Sequence, residues 1–177
     1  MITKATQLLR RDHQRVDRLF DRFEQSNKPD AKQRICARVA RELEIHSKLE
    51  EEIFYPAVEK HLGEEDLLQE SSEEHQQAKE IIAELDHMSA ADEQFEEKFA
   101  QLVEAIKHHV AEEEGEMLPK VEESDMDLWQ IGEQMAERKE ELLDEMQPGS
   151  ESMAKAESRS AGKPKWGPVR RPSGRAA

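Results

Sequence analysis

Apolar residues recur every three or four positions through most of residues 3–146, the spacing that lines one face of an α-helix. The first stretch, from about Thr3 to Gln25, places Leu9, Val16, Phe20 and Phe23 on one stripe. Asn27-Lys28-Pro29-Asp30 interrupts it, with the proline suited to the first turn of a following helix. The second stretch reaches about His61, with Val39, Leu43, Ile53 and Ala57 inward, and Gly63 punctuates it. The third runs from about Glu65 to Met88 on Leu68, Ala78, Ile82 and Leu85. Ser89-Ala-Ala-Asp92 is expected to start the fourth, which turns Phe95, Phe99, Leu102, Ile106 and Met117 inward. Ser124-Asp-Met-Asp127 provides capping side chains for a fifth, carried by Leu128, Ile131, Met135, Leu142 and Met146. No strand-period alternation of any length is present. Long helices with short connections predict an all-α protein, an up-down-up-down four-helix bundle with an additional C-terminal helix.

Charge divides the chain in two. Residues 1–146 carry 19 basic against 39 acidic side chains, a net of −20, whereas residues 147–177 carry seven against two, a net of +5. The expected organisation is therefore a helical domain over 1–146 and a basic tail over 147–177, too rich in Pro, Gly and Ser to order itself. A body of that sign repels phosphate, so nucleic acid is not an expected partner of the bundle. The tail groups Lys163, Lys165, Trp166, Arg170 and Arg171, a weak nucleic-acid motif, and is read first as a solubilising extension. No apolar run approaches the ~20 residues that span a bilayer, so no membrane partner is expected. The start of the chain lacks the features of a secretory signal, and Cys36 is alone. These point to a cytoplasmic setting and exclude an internal disulfide or a thiolate cluster.

The candidate chemistry lies in a duplicated pattern. His13 is followed after 33 residues by His46-Ser-Lys-Leu-Glu50, and His75 after 34 residues by His109-Val-Ala-Glu-Glu113. A proline stands six residues after each glutamate, in Phe54-Tyr55-Pro56 and Met117-Leu118-Pro119. Residues four apart share a helix face, so each histidine–glutamate pair can reach one site. All six groups fall on the apolar stripes, and buried ionisable groups need strong partners, which coordinated cations supply. Four imidazoles and two carboxylates suit a pair of iron ions, although zinc, manganese or copper would also be accepted. The competing reading is a purely structural polar network. His61, His87 and His108 are expected away from the site, and Glu51, Glu52, Glu112 and Glu114 on the solvated face. The prolines predict a kink one turn beyond each glutamate, or an early helix end.

The order His, His-x-x-x-Glu, His, His-x-x-x-Glu, with a proline trailing each glutamate, resembles the haemerythrin-like family, or HHE cation-binding domain. The resemblance covers about Ile2 to Met146. It implies a left-handed four-helix bundle holding two irons, with His13, His46, His75 and His109 as terminal ligands and Glu50 and Glu113 as bridging carboxylates. Oxygen carriers of the family have a further histidine where this chain has Lys79. They also have a last aspartate spaced five from its histidine, where Glu113 here is spaced four. The resemblance thus implies the broader bacterial-type branch: cytoplasmic sensing or handling of oxygen, nitric oxide or iron, or stress protection, with a small diatomic or an oxidant as the partner. Two rivals accompany it: a di-iron enzyme turning over peroxide or nitric oxide or oxidising ferrous iron, and a structural or interaction bundle without metal. Nothing in the sequence specifies the oligomeric state.

Overall fold

A computed structural model describes residues 3–146. The tail expected over 147–177 lies outside the described residues. The described chain is all-helical: α1 (Ala5–Glu24), α2 (Pro29–Leu49), α3 (Tyr55–Leu62), α4 (Glu65–Asp86), α5 (Phe95–Glu112), α6 (Leu118–Glu123) and α7 (Leu128–Glu145). Two five-residue π-helical turns, Glu50–Phe54 and Glu113–Met117, join α2 to α3 and α5 to α6 without breaking the rod. The result is the expected up-down-up-down bundle, α1, α2–α3, α4 and α5–α6, with α7 as the fifth helix.

The ends obey local chemistry. Pro29 opens α2, where its missing N–H costs nothing. Gly63 ends α3 at φ +66, the left-handed conformation that side chains with a Cβ avoid. Asp127 caps α7 by accepting the amide of Gln130 at 3.0 Å. Ser89–Asp92 does not begin α5 as expected. Its side chains fold back on their own backbone, Asp92 accepting from the amide of Ser89 at 2.8 Å and Ser89 from that of Ala91 at 3.2 Å. This closed turn delays the helix to Phe95.

The helices do not end early at the two prolines. Pro56 and Pro119 have no amide to donate and would crowd the carbonyl four residues back. The chain widens instead: the amide of Tyr55 reaches the carbonyl of Glu50, and that of Leu118 the carbonyl of Glu113, each five residues away. One extra residue per turn also rotates everything downstream. Phe54 and Val58 are therefore fully buried where α-helical spacing predicts Ile53 and Ala57, which are only partly covered.

Beyond the histidines the core is aromatic on one side. Phe23 stacks on Phe99 with centroids 3.7 Å apart, and Phe20 meets Phe99 edge-on at 5.9 Å. These rings join α1 to α5 and fix the registry of the helices that carry His13 and His109. Cys36 lies in the same core, its thiol pushed up to about 11 by burial, which makes it unreactive.

Candidate metal centre

Four helices each deliver one imidazole to the bundle interior: His13 from α1, His46 from α2, His75 from α4 and His109 from α5. Glu50 and Glu113 are the first residues of the π-turns. All six expected ligands are at least nine-tenths buried, and the structure brings them together in two groups. In one, His13, His46, Glu50 and Glu113 place a donor atom each within 4.8 Å of one another; in the other, Glu50, His75 and His109 do the same. Glu50 belongs to both. Its Oε1 lies 3.2 Å from Nε2 of His46 and its Oε2 3.0 Å from Nε2 of His75, so one carboxylate spans the two groups. Glu113 belongs to the first alone, with Oε2 at 3.0 Å from Nε2 of His13.

The other ring nitrogens identify what the centre is built to hold. Nδ1 of His13 donates to Glu114 at 2.7 Å, that of His75 to Glu51 at 3.0 Å and that of His109 to Glu74 at 2.9 Å. Nδ1 of His46 faces Asp12 at 3.9 Å. A proton held at Nδ1 leaves the Nε2 lone pair pointing inward, the tautomer that ligates metals. The Nε2 atoms of His13 and His46 confront each other at 3.2 Å. Nε2 of His109, Oε1 of Glu50 and both oxygens of Glu113 are buried without a well-formed hydrogen bond. Orphaned acceptors this deep are costly, and a cation satisfies all of them at once. The residues present fit a pair of metal ions.

Glu51 and Glu114, expected on the solvated face, instead reach across to His75 and His13 at the edge of the site. Their signal was available in the duplication itself: an acidic residue precedes the first histidine of each copy (Asp12, Glu74) and another follows each glutamate (Glu51, Glu114). Lys79, one turn after His75, holds Glu51 at 2.8 Å. His108 points away as expected, 3.4 Å from Glu112 and 3.6 Å from Glu74. His61 and His87 are exposed and belong to neither group.

Tyr55 is the residue that spacing failed to assign. Five residues on an ideal α-helix turn through about 140°, which would send it away from Glu50. The π-turn cancels most of that rotation, and the buried Tyr55 hydroxyl donates to Oε2 of Glu50 at 3.3 Å and sits 3.4 Å from Nε2 of His75. The matching position in the second copy is Leu118, so the hydroxyl breaks the internal symmetry.

Charge follows this geometry. Burial pulls the His46 imidazole down, but Glu50, Asp12 and Glu113 outweigh it and hold it well above its ordinary value. His75 is likewise raised, by Glu50 and Glu51 acting against burial. Burial opposes ionisation of Glu50, yet His46 and His75 keep it well below the usual carboxylate range. Glu113 is raised by burial and by Glu50, and Tyr55 is pushed well up by burial, Glu50 and Glu113. The two carboxylates are thus shifted in opposite directions.

Comparison with known proteins agrees with this architecture. The family model for the Hemerythrin HHE cation binding domain matches residues 4–121. A DNA nickase of Nostoc sp. is 32% identical over 107 residues, 60% of this chain and 30% of that protein. An uncharacterised hemerythrin-like protein of Schizosaccharomyces pombe is 29% identical over 123 residues, 68% of this chain and 61% of that one. The chain therefore spans less than two thirds of either curated relative. The crystal structure of a hemerythrin HHE cation binding domain-containing protein from Mycobacterium kansasii superposes with a TM-score of 0.69 at 22% identity, over 91% of this chain and 95% of that one. With the family model matched over residues 4–121 of its 177, the chain belongs to the hemerythrin HHE cation-binding domain family.

Proposed function

We propose that the bundle is a non-haem di-iron protein whose centre handles or senses oxygen, nitric oxide or iron in the cytoplasm. The observation that carries this reading is Glu50, one buried carboxylate lying within 3.2 Å of Nε2 of His46 and of His75 from opposite groups. His13, His46 and Glu113 would hold one ion, His75 and His109 the other, with Glu50 between them. When bound, the irons supply reversible one-electron chemistry and open positions for a small ligand. The chain's own residues do the rest. Glu114, Glu51 and Glu74 keep His13, His75 and His109 in the ligating tautomer, and Asp12 faces His46 at 3.9 Å. Tyr55 donates a hydrogen bond to Glu50 from the side away from the histidines' open cleft.

The DNA chemistry in the name of the Nostoc relative is not extended to this chain. The net charge of −20 over residues 1–146 repels a phosphate backbone, and the match covers 30% of that relative. The test of the proposal is metal content and absorption of protein from iron-replete cells, beside a His46→Ala/His109→Ala double variant. About two irons per chain with near-ultraviolet oxo-bridge bands, both lost in the variant, is the expected result. A folded wild type that takes up no iron anaerobically overturns it.

A further inference from the structure

A cavity of about 530 Å³ opens between α2 and α4 and ends on all four histidines. Glu50, Glu113 and Tyr55 do not line it. The open side of the centre is therefore the imidazole side, and the carboxylates and the phenol close the other. His109 lies at the inner end of this space together with His13, His46 and His75.

The volume does not match a diatomic. A water occupies about 30 Å³, and a molecule of O₂ or NO is of that order, whereas pockets that enclose organic ligands run from about 300 to 1,000 Å³. The space comes from the sequence: α2 presents Ala37 and Ala40 and α4 presents Ala78 and Ala83 where longer aliphatic side chains would meet across the seam. Leu43, Ile82 and Ile106 make the deeper wall apolar, so water gains few partners there. At the mouth Lys79 pairs with Glu51 at 2.8 Å and Lys48 with Glu44 at 2.8 Å, while Asp12, Arg41 and Asp86 also line the space, so its charged rim carries both signs. A rim of mixed sign around an apolar throat favours an uncharged ligand over an ion.

We propose that the α2–α4 cleft binds an uncharged, mostly apolar organic molecule of single-ring or medium-chain size, with one polar end toward the centre that the four histidines border. This deepens the di-iron reading and rests on it for the chemistry, though not for the binding. The probe is N-phenyl-1-naphthylamine, a neutral dye that fluoresces in apolar surroundings, titrated into the full chain with and without iron. An Ala40→Leu/Ala83→Leu variant fills the cleft at two positions that are not fully buried and leaves every histidine in place. The expected result is saturable dye binding by the wild type, displaced by 1-octanol and not by octanoate, and at least tenfold weaker in the variant. Iron content and helical circular dichroism of the variant should be unchanged. No dye uptake, equal binding by the variant, or displacement by octanoate in preference to octanol overturns the assignment; a cleft holding only water gives the first of these. Dye binding by a wild type that takes up no iron supports the cleft and overturns the metal reading alone.

Discussion

The Asp12 carboxylate is where α7 reaches the metal centre, and removing its partner Lys139 tests that connection. Lys139 donates to Oδ1 of Asp12, while Oδ2 has no hydrogen-bond partner and lies 3.9 Å from Nδ1 of His46. The side chains of Asp12 and Lys139 are 7% and 15% exposed, so solvent screens the pair little. Burial opposes ionisation of Asp12, but His46 and Lys139 hold it below the ordinary carboxylate value. Breaking a buried pair from one side costs about 3–5 kcal/mol, because the remaining charge stays behind. His46 still faces Asp12, which places Lys139→Met near the lower end, about 3 kcal/mol. For a helical domain of this size that is roughly a 10 °C fall in Tm. The double variant Asp12→Asn/Lys139→Met removes both charges and should recover most of the loss, to within about 1 kcal/mol of wild type. Thermal and urea unfolding of the metal-free protein measures the cycle. Iron affinity supplies an independent reading, since loosening the carboxylate behind a ligating histidine costs about 10–100-fold. If Lys139→Met unfolds within 2 °C of wild type and binds iron equally, α7 is not coupled to the centre through this contact.

Three further outcomes are expected. Tyr55→Phe should retain its iron, lose about 1 kcal/mol of stability with the hydrogen bond to Glu50, and shift the absorption bands of the loaded centre; unaltered bands would place the hydroxyl outside its influence. In Gly132→Ala the new Cβ would lie 2.0 Å from the carbonyl oxygen of Thr3 and 2.8 Å from the amide nitrogen of Ala5, so α7 and the start of α1 must separate. Unfolding should show a loss of about 1–3 kcal/mol or more, and a neutral result would refute that packing. Without metal, the raised His46, His75 and Glu113 bind protons more tightly when folded, so their contribution fades as pH rises. The depressed Glu50 contributes above its ordinary value of 4.5 and is lost as pH falls. The Tm of the metal-free protein should therefore decline from pH 6.5, the ordinary histidine value, toward pH 9, while iron uptake, which needs deprotonated imidazoles, rises over the same range. Parallel trends in the two measurements would contradict this scheme.

Helix number, most of the apolar stripes and the convergence of six inward candidate ligands were written in the order of residues. Each depends on rules that act within one helix: a face repeats every three or four positions, and a histidine on that face must turn inward. Duplication supplied the rest, because two equal loops return equivalent residues to one level of the bundle. What only the tertiary structure decided lies across helices or beyond the α-helical period. Pro56 and Pro119 were visible, but whether the backbone would bend, stop or widen depended on packing at both ends of the turn. That choice moved burial from Ile53 to Phe54 and swung Tyr55 onto Glu50. Glu51 and Glu114 looked solvated because each serves a histidine on another helix: the duplication repeats them, but no spacing within one helix names the histidine each reaches. Lys139 lies 127 residues from Asp12, and their pairing exists only once α7 is folded against α1. The cleft is likewise a property of two helices together: alanine is an ordinary helix former in sequence, and becomes an opening only where four of them line one seam.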